Sequence, residues 1–141
     1  MHRFEAKNPK GILTVLPTQK EIKKVYGIDG DKIGGIIDAH FIRNEINALN
    51  TFSASVASAM EEIKNTIVEC NGTVIFCAGD SILFLGNFER QWCERILDLF
   101  RERTGRTASM GVGDTATEAY LALKLAKADG GGKVVYYRLI G

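Results

Sequence analysis

Residues 73–85 constrain the fold more than any other stretch of this chain. Two uninterrupted apolar runs, Thr73-Val74-Ile75-Phe76-Cys77 and Ile82-Leu83-Phe84-Leu85, flank the turn Ala78-Gly79-Asp80-Ser81. Such runs on either side of a four-residue glycine turn predict a β-hairpin. Neither run alternates polar with apolar, so both faces of the hairpin are expected to be covered and its place in a sheet to be central.

A second strand is predicted at Val25-Tyr26-Gly27-Ile28, where β-branched and aromatic residues favour extended backbone. It runs into Asp29-Gly30-Asp31-Lys32-Ile33-Gly34-Gly35, two acids at the mouth of a glycine-rich turn. Helical spacing of Ile36, Ile37, Phe41, Ile42 and Ile46 predicts a helix toward Leu49. Phe52, Val56, Met60, Ile63 and Ile67 predict a longer one, stopped at Asn71-Gly72. After the hairpin, Glu89–Arg103 is amphipathic, with Trp92, Ile96, Leu99 and Phe100 on one face, and Gly105 ends it. Thr107–Val112 reads as a strand of small residues. Asp114 or Thr115 can cap a helix through Tyr120, Leu123 and Ala126, which Gly130-Gly131-Gly132 terminates before a last strand at Lys133–Tyr137.

The order strand, one or two helices, hairpin, helix, strand, helix, strand is that of a ferredoxin-like α+β sandwich, a mostly antiparallel sheet backed by helices. In such a sheet the first strand can lie beside the hairpin, which would bring Asp29 and Asp80 together. Residues 25–141 form this domain. Residues 1–24 read as an extension, with an edge strand at Ile12–Leu16 and a capping box at Thr18-Gln19-Lys20-Glu21.

Of 141 residues, 45% are apolar and 25% charged, which suits one soluble domain with a real core. A net charge of +1 and no aromatic RNA-binding stripe argue against stable nucleic-acid or membrane binding. Cys70, Cys77 and Cys93 form no Cys-x-x-Cys pair and are expected to be reduced, buried thiols in a cytoplasmic protein. His2 and His40 lack partners at metal-ligand spacing, so zinc chemistry is not expected.

Alternating side chains point Asp29 and Asp31 the same way, so one metal can see both if Gly30 does not bend the strand. The alternative reading of the pair is that both are solvated loop acids. Asp80 reads either as a carboxylate for the same site or as a turn residue chosen for geometry. Together the three acids suit a pair of divalent metals such as Mg²⁺, which shares its coordination with substrate phosphates. The Gly30–Gly35 loop, with Lys32, Ile33 and Gly34, opens backbone to phosphates. Lys127 or Lys32 supplies a cation for a triphosphate tail.

Ile28-Asp29-Gly30-Asp31-Lys32-Ile33-Gly34 resembles the first-strand motif of palm-type nucleotide cyclases and polymerases. Ala78-Gly79-Asp80-Ser81 sits where they carry Gly-Gly-Asp-Asp or Gly-Gly-Asp/Glu-Glu. Ser109–Val112 and Ala126–Gly132 are similar to the two trailing motifs of the GGDEF and CRISPR-palm group. From Val25 to Tyr137 the chain resembles the minimal CRISPR polymerase family, stand-alone palm domains related to the cyclase domain of the type III CRISPR large subunit.

The resemblance implies a metal-dependent cyclase that joins nucleoside triphosphates, ATP favoured, into a cyclic di- or oligonucleotide. That product would signal to an effector in prokaryotic anti-phage defence. By position, Asp29, the Gly30 carbonyl and Asp80 would hold Mg²⁺ or Mn²⁺, Asp31 would be auxiliary, and Lys127 would bind phosphate. Two copies facing one another, each presenting a nucleotide, imply a homodimer. Two departures stand out: Ala78 replaces the first glycine of the motif, and Ser81 replaces its second acid. Ser81 can hydrogen-bond a water or phosphate but cannot act as an anionic ligand. The alternative is therefore a degenerate palm domain that binds nucleotide as a sensor or interaction subunit.

Overall fold

The computed structural model describes residues 23–138, together with the backbone of two short strands at 6–8 and 11–14. These two, β1 (Ala6–Asn8) and β2 (Gly11–Thr14), pair antiparallel as a separate hairpin. The strand expected at Ile12–Leu16 is met by β2 as far as Thr14, whereas Leu16 and the capping box at Thr18–Glu21 lie outside the described residues. The main body follows the expected order: β3 (Lys24–Gly30), α1 (Ile33–Ile42), α2 (Ile46–Glu69), β4 (Thr73–Ala78), β5 (Ser81–Gly86), α3 (Arg90–Thr104), β6 (Ala108–Gly113), α4 (Ala116–Ala128) and β7 (Val134–Tyr136).

The sheet order is β4-β5-β3-β6-β7, antiparallel except for the parallel β6–β7 pair. Register puts Tyr26 between Phe84 and Val112, and Ile28 between Ile82 and Met110. All six are buried, and they share the core with Val56, Met60, Ile63, Cys93 and Phe100 of α2 and α3. The Tyr26 and Phe84 rings stack with centroids 4.9 Å apart.

Val25, Gly27 and Asp29, with Gly111 and Gly113 of β6, belong to the opposite face, because strand side chains alternate. α4 covers this side. A Cβ at Gly111 would lie 2.2 Å from both the Ala119 carbonyl oxygen and the Leu123 amide nitrogen. Only glycine lets a helix backbone come so near the strand. This approach carries Lys127, in the last turn of α4, over the end of β3. The helix starts where Thr115 accepts the Glu118 amide, which settles the choice between Asp114 and Thr115 as cap.

Several expectations change. The hairpin is not central as a whole: β5 is interior, but β4 is the sheet's edge, with Ile75 and Phe76 about half exposed, at 52% and 49%, and a bulge between Val74 and Phe76. Apolar runs look alike whether they face a core or an open groove. Only Cys93 is buried, whereas Cys70 and Cys77 are exposed at the end of α2 and on β4. The first helix stops at Ile42, since Asn44 turns left-handed with φ 56°, so Ile46 and Leu49 belong to α2. The expected stop at Asn71-Gly72 holds, with Asn71 taking the left-handed turn at φ 70°. No described helix is long and apolar enough to cross a membrane.

Candidate functional site

Three strands and one helix meet at the acidic end of β3. Asp29 lies opposite Ser81 of β5 on one side and Ser109 of β6 on the other. The Ser81 hydroxyl donates a very short hydrogen bond to Asp29 Oδ1. From α4, Lys127 Nζ lies 2.7 Å from the Gly30 carbonyl oxygen, 3.0 Å from Asp31 Oδ1 and 3.2 Å from Asp29 Oδ2. Burial lowers the ammonium's affinity for its proton, but the hydrogen bond to Asp31 and the charge of Asp29 outweigh it. The Lys127 pKa ends above its ordinary value.

Asp31 is committed elsewhere. Its Oδ2 accepts from Thr107 Oγ1 at 2.7 Å and the Gly132 amide at 2.8 Å. Its Oδ1 accepts from Ser109 Oγ at 2.8 Å as well as from Lys127. Four donors occupy the lone pairs of one carboxylate. Burial opposes its charge, but these bonds prevail and hold Asp31 below the usual carboxylate range. The side chain thereby buckles β3 to β6 and to the left-handed glycine loop after α4. Asp29, the Gly30 carbonyl and Asp80 are the other oxygens beside it, the first two in contact with Lys127.

Asp80 sits in the two-residue tip between β4 and β5, where Gly79 takes φ 58°. The Gly30 amide donates to the Asp80 carbonyl at 3.1 Å, which ties the tip to the end of β3. A Cβ on Gly30 would lie 2.5 Å from Ile33 Cγ1 and 2.8 Å from Asp80 Oδ2. A side chain here would push on Ile33 and on the Asp80 carboxylate, so glycine leaves Asp80 free to take this position. Burial, and next the negative charge of Asp29, push the Asp80 pKa above its ordinary value. The Asp80 carboxylate lies beside Gly30, the residue that follows Asp29 in β3.

The remaining residues of the loop divide by what they can offer. Lys32 is exposed at φ 58°, and its side chain makes no cap for α1. Ile33 is a core side chain, 5% exposed, so only its backbone is available to a ligand. Gly34 and Gly35 are exposed in the first turn of α1, where an added Cβ would meet open space. That turn has no acidic residue and presents amides to an anion.

A groove of about 450 Å³ runs from Asp29 and Ser81 along the open face of β5, walled by Phe76, Leu83, Tyr120 and Leu123. Among the described residues, no group of three His, Cys, Asp or Glu side chains could by itself hold a metal ion. Mg²⁺ does not need one, since it takes one or two carboxylates and completes its shell with water and phosphate. The ammonium of Lys127 shows that a cation fits against Asp29 and the Gly30 carbonyl. Thr107, Ser109 and the Gly132 amide were assigned no role from sequence. A serine in a strand of small residues was the available signal, and Ser109 proves fully buried.

A family model, described as the minimal CRISPR polymerase domain, matches residues 25–137. No curated protein matches the sequence. Among solved structures, the active GGEEF domain of a diguanylate cyclase from Vibrio cholerae superimposes with a TM-score of 0.56 at 15% identity, covering 84% of each chain. The GGDEF domain of DgcB from Caulobacter crescentus, in complex with c-di-GMP, gives 0.58 at 15% identity, over 82% of this chain and 77% of that one. The Csm1-Csm4 cassette in complex with cA4 gives 0.62 at 19% identity, over 96% of this chain and 24% of that one. At these identities the likeness is one of fold, a palm-type sheet with helices packed against it.

Proposed function

This chain belongs to the minimal CRISPR polymerase family, and from that membership we propose that it is a metal-dependent nucleotide cyclase. It joins nucleoside triphosphates into a cyclic di- or oligonucleotide and releases pyrophosphate. In each step the 2′- or 3′-hydroxyl oxygen of one nucleotide bonds to the α-phosphorus of another. The bond from that phosphorus to the pyrophosphate oxygen breaks, and the hydroxyl proton leaves to solvent. A further step of the same kind closes the ring. Asp29, the Gly30 carbonyl and Asp80 would hold Mg²⁺ or Mn²⁺, which would supply positive charge to acidify the attacking hydroxyl and offset charge on the leaving pyrophosphate.

The chain's own groups do the rest. Asp29 and Asp80 fix the reacting end from two sides of Gly30. Lys127 reaches the phosphate tail from α4, and the uncapped first turn of α1 at Gly34 and Gly35 offers amides to it. The groove walled by Phe76 and Tyr120 gives a nucleoside an apolar bed beside Asp29. We place two copies face to face, each presenting one nucleotide, and favour ATP on the likeness to a CRISPR cassette whose structure holds cA4. Anti-phage signalling to a nucleotide-responsive effector is the setting that this likeness suggests.

The observation that carries the proposal is the meeting of Asp29, the Gly30 carbonyl, Asp80 and Lys127 at one strand end, in a chain of this family. Purified protein incubated with ATP, GTP or both, with Mg²⁺ and then Mn²⁺, should form a cyclic product that chromatography resolves. Asp80→Ala and Asp29→Ala should each abolish it. Turnover undiminished in both variants would refute the assignment. One observation favours the sensor reading instead: Ser81 stands where a second acid would add charge, and its hydroxyl occupies Asp29 Oδ1. ATP binding without turnover in either metal would select that reading.

A further inference from the structure

Lys127 contacts two of the three oxygens proposed above to hold a divalent cation. Its ammonium has three N–H donors, and three oxygens surround it within 3.2 Å: the Gly30 carbonyl, Asp31 Oδ1 and Asp29 Oδ2. Two of these are donors assigned above to the metal. Asp29 cannot offer its other oxygen freely, because Ser81 Oγ is hydrogen-bonded to Oδ1. A cation on Asp29 Oδ2 and the Gly30 carbonyl therefore meets an ammonium already bound to the same lone pairs, and like charges at that distance repel strongly.

We infer that Lys127 is a resident cation of the acid pocket, displaced only when a metal arrives together with a triphosphate. The four-carbon stem of lysine lets its head move while α4 stays packed on β6. Leaving the pocket without a new anion would cost the ammonium its partners at Asp29 and Gly30. A triphosphate tail supplies that anion. The pocket should then bind a free divalent ion weakly and a metal–nucleotide pair much more tightly. Each ligand strengthens the other by the same factor, because coupling between sites is reciprocal. This inference depends on the proposed nucleotide site for where the displaced lysine goes. It is independent of whether turnover follows.

Lys127→Met removes the charge and keeps the stem. Lys127→Gln keeps a donor without charge, and serves if the methionine variant does not fold. Mn²⁺ binding is measured by electron paramagnetic resonance and calorimetry, first alone and then with a non-hydrolysable ATP analogue. The substituted proteins should bind Mn²⁺ alone about tenfold more tightly than the unsubstituted chain, and bind the Mn²⁺–analogue pair more weakly, within the usual range of coupling. In the unsubstituted chain, the ¹⁵N signal of the Lys127 ammonium should move on adding Mg²⁺ with the analogue and hold its place with the same Mg²⁺ alone. Equal or weaker binding of Mn²⁺ alone in a folded variant would overturn the resident-cation inference. So would an ammonium signal that ignores a bound Mg²⁺–analogue pair. If the unsubstituted chain binds no metal–nucleotide pair at all, the proposed function fails instead, while tighter Mn²⁺ binding in the variants would still support a resident lysine.

Discussion

Asp31→Ala tests whether this acid is a buckle rather than a ligand. The substitution removes four hydrogen bonds, from Thr107 Oγ1, Ser109 Oγ, the Gly132 amide and Lys127 Nζ. Bonds to a charged acceptor contribute about 1.5–3 kcal/mol each where water is excluded, and less where it is not. Thr107 is exposed and recovers its bond from solvent. Lys127 keeps Asp29 and the Gly30 carbonyl. Ser109 keeps a contact with the Gly132 amide at 3.1 Å, but loses its own acceptor inside the protein. The Gly132 amide is exposed and keeps Ser109 Oγ, so the Ser109 bond is left as the net loss, about 2 kcal/mol. For a domain of this size that is a fall in Tm of about 7 °C. Urea unfolding followed by the single tryptophan, Trp92, measures it. The loss has a pH signature. The folded Asp31 pKa lies below the ordinary value of 3.8, so its contribution is complete above 3.8 and disappears as pH falls through the folded value. A loss under about 1 kcal/mol, or one that persists unchanged in acid, would refute the buckle.

Two further substitutions probe how the site is held. Gly111→Ala drives a methyl into the α4 backbone at Ala119 and Leu123, which cannot yield as a side-chain tip could. It should cost about 2–3 kcal/mol in urea unfolding and weaken nucleotide binding, because α4 carries Lys127; unchanged stability would contradict the close approach. Asp80→Asn should stabilise the metal-free protein at pH 7 by roughly 0.5–1 kcal/mol, allowing for solvent screening. The sign follows from the raised Asp80 pKa: the native acid favours folding below 3.8 and loses that contribution as pH rises through its folded value. The gap should therefore close below pH 3.8, and a variant less stable than the native chain at pH 7 would reverse the reading.

The element order was legible because near neighbours set it. Helical spacing marked α2, α3 and α4, glycines marked their ends, and Gly79-Asp80 between two apolar runs marked the hairpin. The bringing together of β3 and β5, and so of Asp29 and the tip carrying Asp80, also followed from that order. Which strand became the edge did not. Ile75 and Phe76 would carry the same apolar side chains beneath a helix as they do beside an open groove.

The chemistry of the two acids divides along the same line. Sequence alone determined that Asp29 and Asp31 flank a glycine at a strand's end. Tertiary structure decided that one faces the candidate cation pocket while the other is bound by donors 76 to 101 residues further along the chain. A carboxylate's role depends on which polar groups compete with water for it. Those groups are brought by Gly111, which admits α4, and by the glycine loop that turns back toward β3. Local pattern encodes strands, helices and turns, whereas the partners of a buried charge exist only once distant backbones have packed.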